Sequence, residues 1–106
     1  MSSTDHDELE REAERLLQLR QWQGARAVLT QLAHAHPASS LHRARLAYAR
    51  GWEAADAGEV DRARAEWTRA LVLDGTLSDA QAALDQHPSG TMQRFKRWVR
   101  GTRNGS

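Results

Sequence analysis

Histidine offers this 106-residue chain its most versatile chemistry, because imidazole binds metal ions and exchanges protons near neutral pH. His34 and His36 are two residues apart, so on a helix they face different directions. No two of the five histidines have the four-residue spacing of a helical zinc site, and there is no cysteine. The serines, including Ser39 and Ser40, have no base paired with them, and no glycine-rich phosphate loop occurs. We therefore expect no metal site, no cofactor and no enzymatic activity.

The other chemically distinctive segment is the basic stretch 89–106, which carries five basic side chains and no acidic one. Residues 1–15 have the opposite bias, with six acidic and two basic side chains. At 100° per residue the apolar side chains of 92–99 fall within an arc of ~120°, with the basic ones opposite. The pattern predicts an amphipathic tail helix that interacts through Arg94, Phe95, Arg97, Trp98 and Arg100.

Four destinations for this tail remain open. Its apolar face can close the end of the folded domain, or pack against another copy of the chain. It can lie on an anionic membrane, where each basic residue contributes ~1 kcal/mol. It can also dock on a partner, including nucleic acid, although five positive charges support only weak, non-specific binding.

Composition describes a small globular protein. The length fits one domain, and 40% hydrophobic with 27% charged residues excludes a wholly disordered chain. No apolar run approaches the ~18 residues of a membrane span, and the acidic start of the sequence does not resemble a signal peptide. With cysteine absent, we expect a cytoplasmic protein. Arginine outnumbers lysine 14 to 1, which suggests a GC-rich bacterial genome.

The elements that must position these residues are amphipathic helices. Apolar residues recur at helical spacing in four segments, and a shorter helix is predicted from about Ser78 to Gln86. Turns are expected at Arg20-Gln21 and Gly58-Glu59, and Pro37 stops the second helix. Gly51 in a helix interior costs ~1 kcal/mol relative to alanine, which is understandable if a neighbouring helix approaches closely there.

The helix pairs repeat. Aligning Ala25 with Ala63, Leu29 with Trp67, and Leu32 with Ala70 gives an offset of 38 residues. A helix-turn-helix unit that recurs in this way is typical of a solenoid, which builds binding surfaces. We expect an all-α fold, a short right-handed helical-repeat solenoid of antiparallel helix pairs, in residues 1–88, followed by the tail 89–106.

The second unit resembles the tetratricopeptide repeat. It has the family's small residue, glycine-acidic turn, and alanine, aromatic and alanine positions, at Gly51, Gly58-Glu59, Ala63, Trp67 and Ala70. The first unit is a weaker copy that keeps Ala13, Ala25 and Pro37. The usual repeat is 34 residues, so the loop near residues 39–43 is about four residues longer. The helix at 78–86 and the tail would supply a degenerate third pair.

The resemblance implies a concave groove lined by the first helix of each unit. The positions that would bind a partner are Glu10, Glu14, Arg45, Tyr48 and Trp52. Acidic residues at the first-unit positions argue against a clamp for a peptide carboxylate and favour a basic or mixed ligand. Tyr48 and Trp52 are large aromatics that packing within the unit does not require, and such residues form binding hot spots. Trp22 and Trp67 lie on the packing stripes and are expected in the core.

The function that this resemblance implies is a protein-interaction adaptor, or scaffold, that holds a partner peptide or helix in the groove. Two alternatives remain open. One is a structural module that associates with itself through the aromatics and the tail. The other is a peripheral anchor that binds anionic membrane or nucleic acid through the basic tail.

Overall fold

The computed structural model of the chain describes residues 3–88. These residues form five α-helices: α1 (Ser3–Gln18), α2 (Trp22–Ala35), α3 (Ser40–Asp56), α4 (Val60–Leu73) and α5 (Ser78–Gln86). The all-α prediction is confirmed, and α5 has the predicted bounds. The predicted tail helix, with the interactions of Arg94, Phe95, Arg97, Trp98 and Arg100, lies outside the described residues.

Helices that are adjacent in sequence pack against each other, α1 on α2 and so on to α5 on α4. Short turns join the first two pairs, so the members of each pair run antiparallel. This order is compatible with a stack of helix pairs.

The two tight turns have the same backbone geometry, 38 residues apart. In the first, the Gln21 N–H donates to the Leu16 carbonyl (2.9 Å) and the Arg20 N–H donates to the Leu17 carbonyl (3.1 Å). In the second, the corresponding N–H groups of Glu59 and Gly58 donate to Ala54 and Ala55 (2.9 and 3.0 Å). Both form a Schellman motif, in which a left-handed residue ends the helix. The two turns predicted at this offset therefore share one backbone geometry.

The left-handed residue differs between the two turns. Gly58 has φ of 81°, which glycine adopts without steric cost, whereas Arg20 has φ of 60°. A residue with a Cβ atom pays roughly 1–2 kcal/mol for this conformation. The Arg20 guanidinium lies over the Trp52 ring, 5.5 Å from its centroid, and this cation–π contact offsets part of that cost.

The buried side chains form two clusters, one for each helix pair. The first contains Leu29 and Leu32 of α2, packed on α1 and on Ala49 of α3. The second surrounds Trp67 of α4 with alanines from α3, α4 and α5. Trp22 and Trp67 are buried (8% and 0% exposed), which confirms their predicted place in the core. Leu29 and Trp67, equivalent in the repeat, are both fully buried.

Arg64 fastens α5 to α4. Its Nη1 donates to the main-chain carbonyls of Leu84 (2.8 Å) and His87 (2.5 Å), at the end of α5 where carbonyls have fewer partners within the helix. Arg64→Ala is expected to cost about 1–2 kcal/mol, because a half-buried charged donor is removed. Amide hydrogen exchange should show the loss of protection concentrated in α5.

The matched control is Arg62→Ala on the same helix. Arg62 is exposed and pairs with Glu59, which directly precedes α4 (3.1 Å), so its removal should leave the protection of α5 unchanged. Equal loss of protection in both variants would mean that the two carbonyl bonds do not hold α5.

A candidate interaction surface on α1 and α3

The partner-binding residues predicted from the sequence lie on two helices, α1 and α3. Glu10 and Glu14 are one turn apart on α1. Arg45, Tyr48 and Trp52 follow one another at intervals of three and four residues on α3, so they share a face. Arg45 reaches across to Glu14, with Nη2 3.4 Å from Oε1. We call these five residues the α1–α3 face.

Trp52 is the centre of an aromatic cluster. Its ring stacks on Trp22 of α2, with centroids 5.4 Å apart and planes 8° apart. It also meets Trp67 of α4 edge to face at 5.1 Å, and His87 after α5 at 5.1 Å. The expectation that packing does not require Trp52 is wrong, because this half-buried ring joins both helix pairs and the end of α5. The contacts of Trp52 with Trp22 and His87 join separate helix pairs, so residue spacing within one unit does not predict them.

Tyr48 is also half-buried, and it packs edge to face against Trp22 at 5.7 Å. Burial raises the pKa of the Tyr48 phenol above its ordinary value, so the hydroxyl stays protonated at neutral pH. The carbonyl of Tyr48 accepts a hydrogen bond from the indole Nε1 of Trp67 (3.2 Å). The sequence predicted that packing does not require Tyr48. In the structure Tyr48 packs against the second core cluster and remains partly exposed.

The acidic residues of the face already have partners. Glu14 pairs with Arg45, and Glu10 Oε1 lies 2.9 Å from His6 Nε2 and 3.5 Å from His42 Nε2. The Glu14 carboxylate is 54% exposed, and such a pair is worth about 0–1 kcal/mol. Charged groups of a ligand can therefore replace Arg45 as the partner of Glu14, or Glu14 as the partner of Arg45, at little cost in free energy. The face presents both signs of charge beside two aromatics.

A histidine cluster lies at the end of the α1–α3 face. His6 of α1, His36 just after α2 and His42 of α3 have ring centroids 4.0 Å (His6–His36), 5.6 Å (His6–His42) and 6.1 Å (His36–His42) apart. The sequence pattern did not indicate this cluster, because spacing along the chain relates each histidine only to its neighbours in the sequence. The order of the helices could have indicated the cluster. In antiparallel helices the start of α1, the end of α2 and the start of α3, where these histidines lie, meet at the same end of the helices.

His42 is the most buried member of the cluster, at 2% exposure. Burial lowers the pKa of His42 below its ordinary value, against the opposing effect of the Glu10 carboxylate; His6, His36 and Arg45 also lower it. The neutral imidazole is therefore the form favoured at neutral pH.

A basic pocket lies on a different surface and contains none of the five predicted residues. It has a volume of about 270 Å³ and is lined by residues of α2, α3 and α4, among them Arg43, Arg50 and Arg69. Within residues 3–88 none of these three guanidinium groups has an ion-pair partner. The pocket provides a convenient surface for control substitutions.

Comparison of the chain with protein-family models, curated proteins and solved structures finds no match. None of the helices in the described part of the chain is long and apolar enough to span a membrane.

Proposed function

We propose that the chain is a protein-interaction module of the tetratricopeptide type that binds a segment of a partner protein along the α1–α3 face. The observation that carries this proposal is the state of Trp52, which is partly exposed and yet held between Trp22 and Trp67. The two Schellman turns, 38 residues apart, support the repeat architecture. The cysteine-free, arginine-rich composition supports a bacterial cytoplasmic setting as part of the same proposal.

A fixed aromatic ring is well suited to binding. A side chain that is already immobilised loses little conformational entropy when a ligand covers it. Aromatic rings that combine rigidity with partial exposure are typical of interface hot spots. Tyr48 adds a second ring one turn away and a neutral hydroxyl that can donate or accept a hydrogen bond.

The charges of the face define the ligand further. Glu14 and Arg45 lie beside the aromatic rings, and each is available to a group of opposite charge. The preferred ligand is therefore a short extended or helical segment with an apolar anchor for Trp52 and Tyr48, flanked by charges of both signs. This composition fits the mixed ligand expected from the sequence.

The proposal can be tested with a displayed library of random peptides selected on the full chain. Selected peptides should bind wild type and lose about tenfold or more in affinity in Tyr48→Leu and Trp52→Leu, because each change removes a ring while keeping an apolar side chain. Fluorescence titration with labelled peptides gives the dissociation constants. Circular dichroism establishes that each variant is folded at the temperature used.

Arg69→Ala and Val72→Ala are the controls, because Arg69 lines the basic pocket and Val72 is 81% exposed on α4. Both should bind the selected peptides within twofold of wild type. The proposal is wrong if Arg69→Ala removes binding while Tyr48→Leu and Trp52→Leu retain it. It is also wrong if the library yields no peptide that binds the folded chain.

A further inference from the structure

The histidine cluster is built from three separated parts of the chain. His6 lies in the first turns of α1, His42 in the first turn of α3, and His36 directly after the end of α2. Glu10 stands one turn after His6 on the same face of α1. Antiparallel packing therefore places three imidazoles and a carboxylate at one end of the first helix pair.

The distances in this cluster suit a small cation. Glu10 Oε1 lies 2.9 Å from His6 Nε2 and 3.5 Å from His42 Nε2. One ligand atom from each of His6, Glu10 and His42 lies within 4.8 Å of the other two. In a tetrahedral zinc site with bonds of about 2.0–2.1 Å, neighbouring ligand atoms are about 3.3 Å apart. The observed spacing therefore needs only small side-chain adjustments to surround a metal ion.

The cluster is incomplete as a hydrogen-bond network. The Nδ1 atoms of His6 and His42 are both buried, and neither has a partner among the described residues. One carboxylate oxygen lies near both Nε2 atoms, and the 3.5 Å separation from His42 is too long for a good hydrogen bond. An ion bound by the two Nε2 atoms would not give these Nδ1 atoms partners, so it is the spacing of Nε2 and Oε1 atoms, with one contact too long for a hydrogen bond, that favours an ion.

We infer that His6, Glu10 and His42 form a binding site for a divalent transition-metal ion of the zinc class, with water in the remaining coordination position. Imidazole nitrogen suits Zn²⁺, Ni²⁺ and Cu²⁺, whereas Mg²⁺ and Ca²⁺ prefer sets made only of oxygen ligands. Glu10 is 37% exposed, so the ion can reach the site from solvent. His36 packs against His6 and shields that side of the cluster.

The local charges act in both directions. The Glu10 carboxylate and the carbonyl end of α2 favour a cation, whereas Arg45 and the amino-terminal ends of α1 and α3 oppose it. Glu10 is in direct contact with both histidine nitrogens, so its effect is the strongest at the position of the ion. A bound ion would join α1 to α3 and thereby fix the first helix pair on the second.

The test uses the full chain without an affinity tag and Zn²⁺ as the probe. Calorimetric titration should show one Zn²⁺ per chain, and Mg²⁺ at the same concentration should give no binding heat. Because Zn²⁺ binds the folded chain, saturation should raise the Tm by about 5 °C or more. Co²⁺ in the same site should give the visible absorption of a four-coordinate complex that includes nitrogen ligands.

Two conservative variants and one control identify the ligands. His6→Gln and Glu10→Gln should each weaken Zn²⁺ binding tenfold or more, because each keeps a polar side chain and loses a metal ligand. His34→Gln, at an exposed histidine of α2 outside the cluster, should change it by less than twofold. The inference is overturned if wild type gives neither heat nor a Tm shift, or if both cluster variants bind as tightly as wild type. Peptide binding is tested at Tyr48 and Trp52, so either proposal can fail without the other.

Discussion

Gly51→Ala is expected to lower the free energy of unfolding by about 2–3 kcal/mol, although alanine is the better helix former. A Cβ atom at position 51 would lie within 2.8 Å of three ring atoms of Trp67, where real Cβ atoms essentially never approach. Trp67 is fully buried and hydrogen-bonded to the carbonyl of Tyr48, so moving its ring would break that bond and disturb the residues packed on it. Overpacking therefore outweighs the gain of ~1 kcal/mol from helix propensity.

Gly24→Ala is the matched control for this prediction. Gly24 also lies inside a helix, but a Cβ atom there would meet only the methyl groups of Leu16, at 3.5 and 3.6 Å. These are ordinary contacts, so the variant should be as stable as wild type or more stable by up to about 1 kcal/mol. Urea unfolding followed by circular dichroism measures both variants. Similar values for the two would show that the ring of Trp67 does not restrict position 51.

Gly51 also shows how far a sequence can predict a fold. A glycine in the middle of a helical pattern has a known cost, so a close helix approach was the natural explanation, and the contact with Trp67 confirms it. The helix bounds, the turns and the buried positions of Trp22 and Trp67 follow from local periodicity in the same way. The start of the first helix, at Ser3, is not fixed by periodicity, since helix ends are the least determined by pattern.

Ser39 occupies the position before α3, where serine is a preferred capping residue, but its side chain makes no capping hydrogen bond. Residue preference at a helix start describes an average over many proteins, and the local loop geometry decides whether the hydroxyl reaches an N–H group.

The candidate sites depend on contacts between distant parts of the chain, which periodicity does not encode. Trp52 was expected to be available to a partner rather than packed, because its contacts come from α2, α4 and the segment after α5. The histidines appeared unrelated because 36 residues separate His6 from His42. Both groups form only when helix ends and faces are brought together, so a search that combined the predicted antiparallel pairing with residue chemistry would have found them.

The second large effect on stability is expected at two buried positions of each helix pair whose side chains together fill one space in the core. Unit two has Gly51 beside Trp67, and the equivalent residues of unit one, 38 positions earlier, are Ala13 and Leu29. All four positions are buried, so a larger residue on one helix accompanies a smaller residue on the other. Trp67→Leu alone should cost about 3 kcal/mol, because it leaves a cavity beside Trp52 and removes the hydrogen bond to Tyr48.

The double variant Gly51→Ala/Trp67→Leu gives unit two the Ala/Leu pair of unit one. Once the indole is removed, the new Cβ fills part of the cavity and gains helix propensity. Gly51→Ala should therefore be neutral or stabilising by up to about 1 kcal/mol in that background. The coupling energy from the four unfolding curves should be about 3 kcal/mol, near the upper end for residues in contact. Additive effects would mean that the two pairs do not fill equivalent spaces. A large coupling energy would mean that the two residue pairs fill equivalent spaces. The side-chain volume would then be divided differently between the two helices of each unit.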